Sequence, residues 1–399
     1  MGWTTANLGA VCELIKRGVA PKYLESGGIC VINQKCVRDH QVNYELARRH
    51  NLEKKKVNEE RYIKIGDVLV NSTGTGTLGR VAQIRSEPPE PATVDTHVTI
   101  VRPKPNLFYD DFFGYMLIKI EEEITSAGEG TSGQTELART KLENDFFVSY
   151  PDSIPEQKHI VAILDQAFAD IEQARAKTEQ NLKNARELFE SYLQQVFSQR
   201  GEGWVDSTLG ESCSFQGGSQ PPKSLFSAEN SEDNIRLIQI RDYKSDKHVV
   251  YIPRNKAKRF CSADDVMIGR YGPPLFQILR GIEGSYNVAL IKAVPDEALI
   301  TKDFLFYFLK NKDILNYIIK ASNRAAGQIG LNKATLEPYP ISYPALKLQF
   351  EVVENIKQLE SAKDNLINVY NDKLERIDEL KKSILQKAFN GELETKSCA

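Results

Sequence analysis

The sequence predicts an α+β chain in which one plan occurs twice, a mixed α/β globule followed by a long helix. Three observations predict it. Apolar residues recur at three- and four-residue steps without interruption from Ser153 to Phe197, and again from about Ala345 to Phe389. Short β-branched runs bounded by turn residues precede the first of these helices and recur before the second. Motifs also echo between the halves at a spacing of roughly 195 residues, which marks an internal repeat. The length of 399 residues suits about two to three domains, each able to bury a core. The limits read as 1–150, 151–200, 201–340 and 341–399.

In the first globule, 1–150, Asp67-Val-Leu-Val70, Arg80-Val-Ala-Gln-Ile84 and His97-Val-Thr-Ile-Val101 are predicted strands. Tyr44 to Glu60 reads as a charged surface helix, Phe108 to Glu123 as a helix with one apolar side, and Thr135 to Asn144 as a short helix. Pro88-Pro-Glu-Pro91 is a loop. The first long helix, within 151–200, opens with Ser153 and Glu156 in capping-box spacing. Pro155 is tolerated in a first turn whose amides lack partners. Its stripe is Ile160, Leu164, Phe168, Ile171, Ala174, Thr178, Leu182, Ala185, Leu188, Tyr192 and Val196, and Arg200-Gly-Glu-Gly203 ends it.

The second globule, 201–340, repeats the first. Trp3…Leu8-Gly9 returns as Trp204…Leu209-Gly210, Gly18…Pro21-Lys22 as Gly218…Pro222-Lys223, and Asp67-Val-Leu-Val70 as Asp265-Val-Met-Ile268. Gly133-Gln134…Leu137…Leu142-Glu143 returns as Gly327-Gln328…Leu331…Leu336-Glu337, and Tyr150-Pro151 as Tyr343-Pro344. Segment 341–399 is the second long helix, with Val352, Ile356, Leu359, Leu366, Val369, Ile377, Leu380 and Ile384 as its seam. Helices this long need a partner. The two are therefore predicted to pack as an antiparallel coiled coil, with the globules related by a pseudo-two-fold axis.

Composition narrows the classes. The chain is 41% hydrophobic and 27% charged, with a net charge of −2, which argues against an indiscriminate nucleic-acid coat. A sequence reader whose cations are focused on one face is still allowed. No apolar run approaches a membrane span, the first residues lack the features of a secretory signal, and Ala6 spoils a myristoylation motif at Gly2. The expectation is a cytoplasmic protein. Cys12, Cys30, Cys36, Cys213, Cys261 and Cys398 show no CxxC and no histidine in metal spacing, so free thiols and no metal site are expected.

Gly74-Thr-Gly76-Thr-Leu-Gly79 has dinucleotide-binding spacing, but that fold starts a helix at the turn. Here Arg80 to Arg85 reads as a strand. A glycine-rich hairpin offering Ser72, Thr73, Thr75 and Thr77 to a backbone or base edge fits better. Its counterpart, Gly269-Arg-Tyr-Gly272, keeps the glycines and drops the motif, as a ligand-facing loop would. Pro151-Asp152…Glu156-Gln-Lys158 imitates the PD…ExK of metal-dependent nucleases at too short a spacing, where capping and first-turn acidity explain both acids. The histidines form no metal pair, and neither GxSxG nor an adenine-methyltransferase signature is present, so the chain reads as non-catalytic.

Lys54-Lys-Lys56, among Glu53, Glu59 and Glu60, reads as a solvated face. Base reading favours side chains able to make paired hydrogen bonds: Arg or Lys to guanine, Asn or Gln to adenine. The candidates are Lys22, Asn33, Gln34, Lys35, Ser72, Thr73, Thr75 and Arg80 in the first half. In the second they are Lys223, Gln239, Arg241, Arg270, Tyr271 and Arg324. On the helices, Ile160, Leu164, Phe168, Ile171, Leu182, Leu188, Leu359, Leu366, Ile377, Leu380 and Ile384 are the candidates for pairing and partner docking. A helix of about 45 residues spans roughly 65 Å at 1.5 Å per residue. Two modules on such a ruler could read two half-sites about one turn of DNA apart.

Laid out this way, the chain resembles the specificity subunit of type I restriction–modification enzymes over essentially its whole length. The residues that carry the resemblance are Gly133-Gln…Leu142-Glu143, Tyr150-Pro151…Pro155-Glu-Gln-Lys-His-Ile-Val-Ala-Ile-Leu164, Asp265-Val-Met-Ile-Gly-Arg-Tyr-Gly272 and Leu385-Gln-Lys-Ala-Phe-Asn-Gly-Glu-Leu393. One departure is that the second helix opens Pro344-Ala-Leu-Lys-Leu-Gln-Phe350, without Glu-Gln at the expected place, which leaves its register open. The resemblance implies that each globule is a target-recognition domain reading one half of a bipartite double-stranded DNA site. It implies helices that set the gap and dock two methyltransferase subunits, which bind S-adenosylmethionine and flip an adenine. Restriction and translocase subunits using ATP and Mg would join that core, and this chain would hold no cofactor itself. Two other readings are a duplicated coiled-coil scaffold that binds only proteins, and an enzyme using Gly74 to Gly79 for a dinucleotide.

Overall fold

The computed structural model describes residues 2–130, 135–199, 201–272, 274–324 and 331–393, without the side chains of residues 323 and 324. They form two units: residues 1–178 with 373–399, and residues 179–372. The Gly133-Gln134 and Gly327-Gln328 echoes lie outside the described residues.

In the first unit an antiparallel sheet runs in the order Cys12–Arg17, Val98–Pro103, Val68–Asn71, Val81–Gln83. The three strands after the edge strand Cys12–Arg17 are buried on both faces, which is why they read as largely apolar runs. Val68, Val70 and Val101 meet Phe112, Phe113, Met116 and Leu117 of the helix Asp110–Lys119. Leu69 and Ile100 face the other way, into a core with Ile32 and Val94 of a second sheet. That sheet runs Ala92–Val94, Ile29–Ile32, Arg48–His50, Tyr23–Leu24, and its first pair is parallel. Strand Trp3–Asn7 pairs with Phe147–Pro151.

The second unit repeats the first sheet as Cys213–Gly217, Leu290–Pro295, Val266–Gly269, Ile278–Leu279. The helix Lys302–Leu309 covers it through Phe304 and Leu305, and Val205–Thr208 pairs with Pro340–Tyr343. The echoed glycines have a steric cause. A Cβ on Gly18 would lie 1.7 Å from the Val94 carbonyl oxygen, and one on Gly218 would lie 1.8 Å from that of Asn287.

The long helices span Ile154–Ser198 and Leu346–Phe389. Ser153 caps the first, accepting from Glu156 N at 3.4 Å. Both contribute to each unit and run antiparallel within it. In the first unit Lys381 pairs with Glu172 at 3.0 Å and Arg175 pairs with Asp378. In the second, Lys363 Nζ lies 4.6 Å from the centre of the Phe189 ring, and Leu193 shares a core with Val353 and Ile356.

Three expectations are corrected. Tyr44 to Glu60 is not a helix. Asn43 caps a single 3-10 turn, Tyr44–Leu46, and Arg48–His50 is a strand. Asn51 Oδ1 then accepts from Glu53 N at 2.8 Å and Lys54 N at 3.0 Å, closing a turn. Asparagine side chains that bond nearby amides compete with helix formation. Lys54-Lys-Lys56 therefore sits on a turn. His50 is fully buried, with Nδ1 accepting from Lys22 N at 2.9 Å and Nε2 donating to Lys55 O at 2.8 Å.

The seam of the second long helix is also not the predicted one. Ile377 is buried there, and Ile356 is fully so, but Leu359, Leu366, Val369 and Leu380 are 41%, 45%, 58% and 49% exposed. On the first helix Leu188 is 72% exposed. Thr178, on the predicted stripe of the first helix, is 1% exposed, and the ammonium groups of Lys363 and Lys381 lie over Phe189 and Phe168.

The missing Glu-Gln of the second helix is a one-residue shift. Gln157 and Gln349 are each fully buried and bonded alike. Gln157 Oε1 accepts from Tyr109 N at 2.8 Å, and Nε2 donates to Leu107 O at 3.3 Å and Pro151 O at 2.9 Å. Gln349 Oε1 accepts from Thr301 N at 2.9 Å, and Nε2 donates to Leu299 O at 2.7 Å and Pro344 O at 2.8 Å.

Candidate nucleic-acid interface

In the first unit the structure gathers part of the candidate set around the hairpin joining Val68–Asn71 to Val81–Gln83. The glycine motif is the turn of this hairpin and is followed by a strand, so the helix a dinucleotide would require is not there. Asn71 Nδ2 donates to Gln34 O at 3.0 Å and to Thr77 O at 3.1 Å, tying the hairpin to the turn that carries Asn33, Gln34 and Lys35. Thr73 Oγ1 lies 2.6 Å from His97 Nδ1 and donates to Gln34 Oε1 at 3.5 Å. Arg80 Nη2 donates to Gly76 O at 2.8 Å, bracing the tip where Thr75 is exposed.

Gln34, Thr73 and Arg80 thus come together, and His97, set aside in the sequence, joins them at the surface. Ser72 does not. It is 1% exposed, with its hydroxyl bonded to that of Thr99 and donating to Val70 O at 3.4 Å, so it serves the sheet. Asn33 also works inward: Nδ2 donates to Leu46 O at 3.1 Å and Oδ1 accepts from Lys35 N at 2.9 Å. Lys35 and Lys22 are exposed. Beside Lys22, Tyr23 is 49% exposed and carries the Arg48 guanidinium 4.7 Å from its ring centre. No sequence signal marks this pair, because Arg48 lies in the run that predicts a helix from Tyr44 to Glu60.

In the second unit Arg270 stands where Ser72 stands in the first. Ser72 N donates to His97 O at 2.8 Å, and Arg270 N donates to Ala289 O at 2.9 Å; Leu137 N and Leu331 N donate to Ser72 O and Arg270 O. The Arg270 side chain is itself engaged, Nε donating to Leu331 O at 3.0 Å and Nη1 to Val288 O at 3.4 Å. It shapes the loop that presents Tyr271, which is 41% exposed, with the guanidinium 5.2 Å from that ring.

Gln239 N donates to Asp242 Oδ2 at 3.1 Å, while Gln239 Nε2 is buried without a hydrogen-bond partner among the described residues. Burial raises the Asp242 carboxyl pKa, against the pull of the Gln239 amide, Arg236 and Arg241. Arg241 is exposed and donates from Nη2 to His248 O at 3.3 Å. Lys223 is exposed on the turn Lys223–Leu225. The side chain of Arg324 lies outside the described residues. Of the helix candidates, Ile160, Leu164, Ile171 and Ile377 are buried, Phe168 and Ile384 pack against a core, and Leu182 is half-buried.

Among the described residues no cluster of His, Cys, Asp or Glu could hold a metal ion, and no helix is long and apolar enough to cross a membrane. Cys12, Cys30, Cys36, Cys213 and Cys261 are free and buried, and burial raises their thiol pKa values, to about 11 at Cys30 and Cys261. The site is two unlike sets of loops on one repeated frame, which is the build of a recognition protein with two reading heads.

Comparison with known proteins says which one. The family described as "Type I restriction modification DNA specificity domain" matches residues 1–181 and again 201–376, and the chain belongs to it. Over 427 residues the chain is 23% identical to the type I restriction enzyme StySPI specificity subunit of Salmonella potsdam, covering 98% of this chain and 89% of that one. It is 23% identical over 439 residues to the EcoKI specificity subunit of Escherichia coli (strain K12), with the same shares. A chain solved in work on "complex assembly and conformational transition of the type I R-M system" superposes with a TM-score of 0.77 at 18% identity, covering 98% of each chain. The HsdS subunit from Thermoanaerobacter tengcongensis gives 0.60 at 20% identity, covering 98% of this chain and 97% of that one. These two likenesses concern the fold. Two DNA-specificity domains in one chain make it a specificity subunit built for bipartite recognition.

Proposed function

We propose that each unit reads one half of an asymmetric double-stranded DNA site, and that the long helices joining them set the gap between the halves. The observation that carries this is the repeated frame with different residues at its loop positions: Ser72 and His97 in one unit, Arg270 and Ala289 in the other. Equal frames suit equal docking on a duplex, and unequal loops suit unequal half-sites. The chain has no catalysis of its own in this reading. Two methyltransferase subunits dock along the helices, where exposed Leu359, Leu366 and Val369 offer apolar surface, and they supply S-adenosylmethionine chemistry. Restriction and translocase subunits bring ATP and Mg, and the assembly works in the cytoplasm.

The test is a methylome. The chain is expressed with the methyltransferase encoded beside it in a methylation-free host, and N6-methyladenine is mapped. An asymmetric two-part motif with one fixed gap, lost when the chain is omitted, is the expected result. Methylation that is unchanged without the chain would remove the specificity reading and favour a protein-binding scaffold.

A further inference from the structure

We infer that Gln157 and Gln349 are positioning residues that lock each reading head onto its helix, and that the fidelity of the gap between half-sites depends on them. The inference rests on the bipartite reading proposed above. Each glutamine sits in the opening turns of a long helix, and its amide closes the same three bonds. The acceptor holds the main-chain N–H of Tyr109 or Thr301, the residue that caps the domain helix Asp110–Lys119 or Lys302–Leu309. One donor bond goes to the loop before that cap, at Leu107 O or Leu299 O. The other goes to the strand end or the residue just after it, at Pro151 O or Pro344 O. A strand, a loop and a long helix are thereby joined at one point.

The chemistry needs glutamine. Among side chains of this reach, only its amide offers one acceptor and two donors of fixed geometry. Both glutamines are fully buried, and the pattern survives a one-residue difference in how the two helices are entered. Sequence alignment at a fixed spacing misses that, which is why the second helix looked as though it lacked the residue.

Ile160, Val161 and Leu164 share the core of the first unit, and Val353 and Ile356 that of the second, but apolar packing is non-directional and leaves the angle to directed bonds. Each unit has a second bolt further along the same helix, between equivalent tyrosines and helix carboxylates. Tyr115 OH donates to Asp165 Oδ1 at 2.5 Å, and Tyr307 OH donates to Glu360 Oε2 at 2.6 Å. Two bolts fix an angle as well as a place. Neighbouring gap lengths on DNA differ by one base step, about 3.4 Å along the duplex axis. Functional groups must in general be held within about 0.5 Å and 10–20° to act precisely in place. A head free to rock on its helix would accept sites one base pair too long or too short while still reading the same bases.

The experiment compares the methylomes of the whole complex carrying wild type, Gln157→Glu or Tyr115→Phe. Gln157→Glu keeps the acceptor and loses both donors. Tyr115→Phe removes one hydroxyl and keeps the ring, so it remains informative if the buried glutamate prevents assembly. The expected result is unchanged half-sites with new methylation at gaps one base pair longer or shorter. Discrimination against those gaps falls about tenfold, the factor that corresponds to about 1.4 kcal/mol. Gln349→Glu and Tyr307→Phe should do the same from the other unit. A gap as strict as wild type, altered half-site bases, or a uniform fall at the native gap alone would each overturn the inference. A wild-type motif without a gap would instead sink the bipartite reading beneath it.

Discussion

The two units solve one structural problem with different side chains. Just before the strand Val68–Asn71, Asp67 accepts from Lys64 N at 2.8 Å and from Arg102 Nε and Nη2 at 2.7 and 2.8 Å. Just before Val266–Gly269, Asp265 accepts from Ser262 N at 2.9 Å, and its cations are Lys292 and Lys302, at 3.1 and 2.9 Å. The main-chain bond from three residues back is common to both, and Arg102 and Lys292 come from equivalent strands, but Lys302 is added from the domain helix. Asp67 is 1% exposed, and burial pushes its carboxyl pKa above the ordinary value in spite of Arg102. At Asp265, 8% exposed, burial also pushes upward, but Ser262, Lys302 and Lys292 outweigh it and hold the carboxyl at about 2. The second sheets, which in the second unit run Tyr251–Pro253, Asn234–Ile238, Gly284–Tyr286, Phe260–Cys261, differ more. In the first unit a broad apolar core including Ile32, Leu69, Val94 and Ile100 fills the space between sheets. In the second a smaller group around Ile238, Met267 and Tyr286 does so. Repetition is strict where main-chain geometry demands it and loose where any well-packed solution will serve. The loops that face outward have the greatest freedom of all.

The largest effect expected from this difference is at the cations. Arg102→Met leaves Asp67 buried without its partner and should cost the first unit about 3–5 kcal/mol. Lys302→Met leaves Lys292 in place at a site with 25% and 17% exposed partners, and should cost the second unit about 1 kcal/mol or less. Hydrogen exchange on the strand amides of each unit under mild denaturant would measure both, and equal losses would refute the contrast.

A smaller effect is expected with acid. The folded-state pKa of Asp265 lies below its unfolded value, so its contribution is complete above about pH 4. That contribution is lost as the pH falls towards about 2. Asp265→Asn should flatten the acid-side fall in stability of the second unit over that window. An unchanged slope would show that Asp265 is not held down by its neighbours.

The long helices and the frame were legible in the sequence because their signals are regular. Ile160, Leu164 and Ile171 keep helical spacing for turn after turn, and Val68 to Val70 must be apolar to be buried on both faces. The echo of Gly18 in Gly218 was legible because no larger residue fits against the neighbouring carbonyl. What was hidden depends on side chains that serve the backbone. Asn43 and Asn51 turned a charged, helix-like run into a turn and a strand. Leu359, Leu366 and Leu380 lie at plausible seam spacing, yet they are 41%, 45% and 49% exposed. Among the contact candidates, Ser72, Asn33 and Arg270 have the chemistry to meet a base, but in place they bond their own domains. Residue type cannot show this, because it depends on which groups of the domain lie within reach of each side chain.

The central claim is that one frame carries two independent reading heads. The direct test is a chimera in which residues 201–343 replace residues 1–150, expressed with the methyltransferase and mapped for N6-methyladenine. The expected result is a gapped motif in which the half-site of the second unit occurs twice and that of the first unit is gone. Survival of the first half-site in a chain that lacks the first globule would contradict it.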